Sequence, residues 1–302
     1  MKTMRMALDI GGTAIKCAIV ADDGKIIREG KFRTDSTLDS GTFGRLIVEG
    51  VRDFLSGGDE QITSIGAGMA GFTDAKKGII YQSPNIPGIR DFNLVKVLED
   101  EFDVEAYVDN DATVAAWGEF LFGGHNVDDL LVVTLGTGIG GGLVLGGRLH
   151  RGEHGFTGEI GQMVLHPDGD ECRGGGAGCL ELYTGRKAVI EKYCRLSGAD
   201  EKISPREIYE SAADGDSAAL ETWSDYGRDL GILMASVGNL LDLGAIVVTG
   251  GLSGAYNFFY PELKRTLRKY LISPLKDTLD VKKSGLDGKA GLTGAAFLYK
   301  AG

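Results

Sequence analysis

The sequence predicts an α/β protein of two similar lobes, each a mixed sheet flanked by helices, with a cleft between them. Three observations predict it. The apolar stretch 6–20 carries one carboxylate, Asp9, breaks at Gly11-Gly12-Thr13 and then resumes, which reads as two strands joined by a glycine turn. A second stretch, 130–145, breaks in the same way at Gly136-Thr137-Gly138. The chain has 302 residues, too many for one small core and suited to two domains.

Each copy continues alike. A further turn follows, Asp23-Gly24 in the first and Gly146-Gly147 in the second, then a third strand over 25–33 and 148–150. A glycine turn lets backbone N–H groups approach an anion with no Cβ in the way. Thr13 and Thr137 add hydroxyls, and Asp9 is a carboxylate able to organise a metal beside that anion. Taken alone, the first copy also fits an ordinary hairpin with an aspartate at a buried edge. The repetition points to phosphate, because two such turns facing each other would hold one polyphosphate between two domains. Gly136, Gly138 and Gly141 also match G-x-G-x-x-G, but a dinucleotide fingerprint must open a helix, and Leu143-Val144-Leu145 reads as a strand.

Composition narrows the partners. The net charge of −11 argues against nucleic acid and anionic membranes, which need a basic surface. A nucleotide can still bind through backbone N–H groups and a cation. The start, Met1-Lys-Thr-Met-Arg-Met, is too short for a signal segment, and no apolar run reaches membrane-spanning length, so a cytoplasmic location is expected. Cys17, Cys172, Cys179 and Cys194 do not make a disulfide scaffold in a chain this size.

Taken in order, residues 41–55 form a helix with Phe43, Leu46, Ile47, Val51, Phe54 and Leu55 on one face, ended by Gly57-Gly58. A strand over 62–70 leads into Gly71-Phe72-Thr73-Asp74, at the carboxyl end of a strand, where ligands collect in open sheets. Asn85 sits between two prolines in a rigid loop. It is a fixed amide suited to a hydroxyl, or simply a turn asparagine. A helix over 92–102 takes Asp91 as its cap. A short strand over 105–108 then delivers Asp109-Asn110-Asp111 to a helix over 112–122. Asn110 or Asp111 caps that helix. Only one cap is needed, and the functional reading makes Asp111 a general base.

Glu159, flanked by Gly158 and Gly161 and followed by Gln162, presents its carboxylate from a glycine-rich loop. Cys172 and Cys179 lie seven apart in another such loop. Zinc usually takes four N/S ligands, and only His166 is nearby, so both are read as free buried thiols. Helices follow over 186–196, 205–213 and 218–241; Ser204, Pro205 and Glu207 make a capping box with proline at the first helical position. A buried strand over 245–249 ends in a third glycine turn, Gly250-Gly251, and helices over 258–271 and 290–299 close the chain.

Together these motifs resemble the ROK family of sugar kinases, in the hexokinase/actin-like superfamily, over essentially the whole chain and in the family's order. Asp9-Ile-Gly-Gly-Thr13 looks like the first phosphate motif and Leu135-Gly-Thr-Gly-Ile-Gly-Gly141 like the second. Asn110-Asp111 looks like the sugar-binding asparagine and catalytic aspartate. Gly158-Glu-Ile-Gly161 and Gly178-Cys-Leu-Glu181 look like the signature whose glutamates hold sugar hydroxyls, and Val248-Thr-Gly-Gly251 like the adenosine motif.

The resemblance implies two ribonuclease-H-like lobes, about 1–110 plus 288–302 and 111–287, with MgATP and a hexose in the cleft. It implies Asp111 as base and Asp9 positioning Mg²⁺ through water. Gly11, Gly12, Thr13, Thr137, Gly138, Gly250 and Gly251 would serve ATP, and Asn85, Asn110, Glu159, Gln162 and Glu181 the sugar. Lys16, on the strand after the first turn, is read as solvated. Glucose at O6 is the first expectation for the acceptor; N-acetylmannosamine or another hexose is the alternative, and a non-catalytic sugar sensor is a reading of another class. A homodimer is implied too.

Two positions depart from the family. Gln162 replaces a histidine and Gly174 a cysteine, both part of a structural zinc set. Zinc is therefore expected to be absent or weakly held, with Cys172, Cys179 and His166 as remnants. Many ROK proteins are repressors with an N-terminal helix-turn-helix. The first phosphate strand begins here at about residue 5, and the acidic charge agrees with a kinase instead.

Overall fold

A computed structural model describes residues 3–172 and 174–301; Met1 and Lys2, part of the stretch weighed above as a leader, lie outside them. β1 (Met4–Ile10), β2 (Ala14–Ala21) and β3 (Ile26–Arg33) form an antiparallel meander. α1 (Ser40–Ser56) buries Phe43, Ile47 and Val51, and β4 (Ile62–Met69) returns parallel to β1. β5 (Phe72–Asp74), β6 (Ile79–Gln82) and β7 (Arg90–Asn93) make a small antiparallel sheet that the hydropathy pattern did not indicate. Then come α2 (Leu94–Phe102), β8 (Glu105–Asn110) parallel to β4, and α3 (Asp111–Phe122).

The pattern repeats with β9 (Leu130–Leu135), β10 (Ile139–Leu145) and β11 (Arg148–His150). After a loop region come α4 (Glu181–Thr184), α5 (Arg186–Ser197), α6 (Pro205–Ala213) and α7 (Ser217–Leu241). The chain continues through β12 (Ala245–Thr249), α8 (Tyr256–Tyr270), β13 (Val281–Lys283) and α9 (Ala290–Ala296). The two larger sheets run β3-β2-β1-β4-β8 and β11-β10-β9-β12-β13. Both join an antiparallel hairpin edge to parallel strands, so the expected pair of similar mixed α/β sheets is present. All five residues of β12 are buried, as suits a strand with parallel neighbours on both sides.

The chain divides into two compact units. Unit 1 is Met1–Asn126, Gly142–Gly158 and Gly285–Gly302; unit 2 is Val127–Gly141 and Glu159–Ser284. The sequence-based division put the break at 110/111. Here α3 belongs to unit 1, because it packs on α9 backbone to backbone. A Cβ on Gly118 would collide with the Ala290 carbonyl, and one on Gly294 with that of Val114. Gly66 of β4 meets Ala295 in the same way, and Trp117 Nε1 donates to Phe297 O at 2.9 Å. Met6, Leu8, Ile15, Phe43, Ile47 and Ile65 form the core of unit 1; Trp223, Phe259 and Leu263 are buried in unit 2.

Two local expectations are corrected. α2 starts at Leu94 and is capped by Asn93, whose side chain accepts from Lys96 N at 2.9 Å. Asp91 instead lies on β7 with φ +45°, because 90–93 is claimed by the small sheet. The last helix ends at Ala296, and a 3₁₀ turn over Leu298–Lys300 follows. The capping box of α6 is present with Pro205 at its first turn.

Candidate active site

In unit 1, three parallel strands bring their carboxyl ends to one sheet edge. Asp9 of β1 is in register with Gly68 of β4, and Gly68 with Asp109 of β8. Beyond Asp9 the Gly11-Gly12-Thr13 turn closes through Gly11 N to Ala14 O at 3.1 Å. Gly12 lies against Asn85, since a Cβ there would stand 2.8 Å from the Asn85 carbonyl oxygen. The first turn and Asn85 are thus together. Lys16, expected to be merely solvated, donates to Asp9 Oδ2 at 3.0 Å, although its side chain is 60% exposed.

Asn110 is the N-cap of α3. Its Oδ1 accepts from Ala112 N at 2.9 Å and Thr113 N at 3.3 Å, and its Nδ2 donates to Gly71 O at 3.3 Å. Such a cap is worth about 1 kcal/mol. Asp111, in the first turn of α3, is exposed, and its Oδ1 accepts from Ala112 N at 2.9 Å. Asp109 is buried and faces Arg151, whose Nε donates to its Oδ2 at 2.7 Å; Arg151 Nη1 also donates to Ala301 O at 2.7 Å. Burial pushes the Asp109 carboxyl above the usual carboxylate range, and Arg151 pulls it back. Arg151 was not singled out from the sequence, because an arginine just after a short strand has no distinguishing neighbours.

In unit 2 the second turn is held by Glu181. Ile139 N donates to Glu181 Oε2 at 2.9 Å, and Gly138 leaves room for that carboxylate, with which a Cβ would collide. Arg186 N donates to Gly136 O at 3.1 Å, tying the start of α5 to the same turn. Gly250, at φ +90°, packs its backbone on Leu135, the residue before the second turn. Burial first, and then the like charge of Glu181, raise the pKa of Glu159. Gln162 Oε1 is buried, with no hydrogen-bond partner among the described residues.

The cysteine loop holds a different bond from the two free thiols expected. Cys172 and Cys179 form a disulfide, which corrects the reading of two free thiols. The loop favours it: Val164 bridges Cys179, Glu171 bridges Ala177, and Cys172 N donates to Gly176 O at 3.0 Å, bringing the two cysteines face to face. His166 stacks edge-on against Tyr183 at 4.5 Å between centroids. Among the described residues no group of three or more His, Cys, Asp or Glu is arranged to hold a metal. With both sulfurs bonded to each other and Gln162 and Gly174 in the other places, the residues present do not fit a zinc ion. A separate groove of about 430 Å³ beside α1, lined by Arg45, Arg52, Phe92 and Glu101, includes none of the candidate residues. No helix among the described residues is long and apolar enough to cross a membrane.

Known proteins resemble this chain over nearly all of its length. The sequence profile described as the ROK family matches residues 5–301. A glucokinase of Streptomyces coelicolor is 30% identical, with 98% of each chain covered. An N-acetylmannosamine kinase of Escherichia coli is 30% identical, with 97% of each covered. Among solved structures, a ROK family glucokinase from Streptomyces griseus in complex with glucose and AMPPNP has a TM-score of 0.83 at 31% identity, covering 99% of this chain and 100% of its own.

Proposed function

The chain belongs to the ROK family, and from that premise we propose that it is an ATP-dependent hexose kinase, with glucose at O6 as the first candidate acceptor. Relatives that are a glucokinase and an N-acetylmannosamine kinase support a sugar acceptor, and the neighbour holding AMPPNP supports ATP as donor. Within this chain the reading rests above all on the register row Asp9–Gly68–Asp109, which supports a metal-organising carboxylate and the Asn110-Asp111 pair acting at one sheet edge.

Asp111 accepts the proton of the sugar hydroxyl as its oxygen attacks the γ-phosphorus in line. The new O–P bond forms, the bond to the β,γ-bridging oxygen breaks, and ADP leaves. A positioned base contributes about 10²–10⁴-fold. Gly11, Gly12 and Thr13, with Thr137 and Gly138, hold phosphates through backbone and hydroxyl donors, and Gly250 and Gly251 lie against the adenosine. Asp9 suits Mg²⁺, which keeps most of its waters and takes one or two carboxylates; its carboxylate is partly exposed and accepts from Lys16 Nζ. When bound, Mg²⁺ neutralises charge on the transferred phosphoryl group.

Asn85, Asn110, Glu159, Gln162 and Glu181 orient the sugar. The orphaned Gln162 Oε1 supports its part, since a buried acceptor left unpaired costs about 1–3 kcal/mol and a sugar hydroxyl would satisfy it. N-acetylmannosamine is the second reading, favoured by the Escherichia coli relative. The test is ADP release with MgATP against a panel of hexoses and N-acetylhexosamines. Turnover with one sugar identifies the acceptor. Asp111→Asn then separates a kinase, which loses turnover but keeps sugar affinity, from a non-catalytic sensor, which has no turnover to lose.

A further inference from the structure

Two phenylalanines stand exposed beside the polar cluster of unit 1. Phe72 is 41% exposed and Phe156 48% exposed, and their rings meet edge to face at 5.3 Å between centroids. Half-exposed aromatic rings in contact form an apolar surface that water covers poorly, and such surfaces on soluble proteins mark binding sites when they adjoin convergent polar groups. These two do. Phe72 follows Gly71, whose carbonyl accepts from Asn110 Nδ2 at 3.3 Å. Ala70 O, one residue earlier, accepts from Ser83 Oγ at 2.8 Å, and that hydroxyl accepts from Asn85 N at 3.3 Å. Asn85, Asn110 and Phe72 are therefore all fastened to the dipeptide after β4.

Phe156 is fastened to the same place from the other side. Its loop leaves Arg151, which is locked to Asp109, and folds back through Thr157 N to Arg151 O at 3.3 Å. Gly155, at φ +82°, lets the loop pass close to the Thr73 carbonyl. The shelf is thus fastened to the two residues that precede the proposed base, Asp109 and Asn110, without being part of the hydrophobic core.

We propose that Phe72 and Phe156 form an aromatic shelf of the acceptor site that packs against the apolar C–H face of the pyranose ring, and so help to decide which sugar is accepted. This rests on the reading of Asn85 and Asn110 as sugar ligands. A pyranose is amphipathic: hydroxyls ring its edge, while its axial C–H groups face one way. Amides at the edge and an aromatic face beside them match both.

The test uses the full chain and the sugar that gives turnover in the panel. Phe72→Ala and Phe156→Ala are expected to raise the acceptor KM about five- to twentyfold while KM for MgATP stays within about twofold and kcat within about threefold. Phe156→Tyr keeps the acceptor KM, and Phe156→Leu, of similar bulk without a ring, raises it. That pair keeps the test decisive if an alanine variant fails to fold, and a purely structural role would not separate ring from branched chain. Unchanged acceptor KM in every variant, or an equal rise in KM for MgATP, overturns the shelf and leaves the kinase reading standing. Wild-type protein silent on the whole panel overturns the kinase reading, and the shelf with it.

Discussion

Arg151 Nε donates to Asp109 Oδ2 across 2.7 Å, between residues 42 apart in sequence. The pair ties the loop after β11 to the residue that precedes Asn110 and Asp111. Asp109 is 3% exposed, so its charge depends on this partner. Its other oxygen accepts from Asn110 N at 2.8 Å, which fixes the backbone where β8 turns into α3.

Removing one member leaves a buried charge uncompensated. Arg151→Met is expected to cost about 3 kcal/mol, the lower end of the range for a broken buried pair, because Arg151 keeps 24% exposure. Asp109→Leu together with Arg151→Met should recover most of that loss. Urea midpoints of the two variants check this, and equal losses would contradict it.

Glu159 titrates above the ordinary carboxylate value of 4.5, through burial and the Glu181 charge. The ionised form is therefore disfavoured in the folded state. The penalty is absent below the unfolded pKa, where both states are protonated, and grows as pH rises through the folded value. Glu159→Gln should raise the urea midpoint at pH 7, with the gain fading towards pH 4. A gain independent of pH would rule out this cause. Sugar affinity should fall in the same variant, read by calorimetry.

Gly138→Ala puts a Cβ where the Glu181 carboxylate now sits. The Ile139 N–H to Glu181 bond must open, and the second glycine turn shifts with it. A shift near 1 Å at a positioning group can cost about 10²-fold, so kcat/KM should fall by up to that factor with the melting temperature little changed. Steady-state kinetics beside a thermal melt check both halves.

Of the four cysteines, Cys172 and Cys179 are paired and Cys17 and Cys194 are free. Burial pushes the Cys17 thiol up to about 11, so the folded protein should expose only Cys194 to a thiol reagent at neutral pH. Unfolding without reductant should release Cys17 as well, and reductant the remaining pair. Four thiols in the unfolded, unreduced chain would contradict the pairing.

Features governed by near neighbours were legible in the sequence. The glycine turns, the Ser204–Glu207 capping box and the Asn110 cap each involve residues within a few positions, so spacing alone exposes them. The repeated strand–turn–strand pattern carried the fold class for the same reason. What was hidden depends on distant pairing. Asp109 finds Arg151, and Ile139 finds Glu181, only after two segments meet, and no local periodicity records either event. Asp91 does not cap α2, because 90–93 joins a sheet whose other strands lie earlier in the chain and Asn93 takes the cap. Cys172 and Cys179 could be free thiols or partners on spacing alone, and the hairpin that brings them together rests on bridges such as Val164 to Cys179.

The close seat of α9 has a consequence for synthesis. Gly66, Gly118 and Gly294 allow this helix to lie directly on β4 and α3. Its residues leave the ribosome only after all of unit 2 has been made. The first unit to be translated therefore cannot be the first to finish: its sheet must wait, with the seat for α9 empty and apolar, while the other unit folds. Nascent chains arrested before residue 290 should be the ones that chaperones and proteases capture, and release of α9 should end that exposure in a single late step.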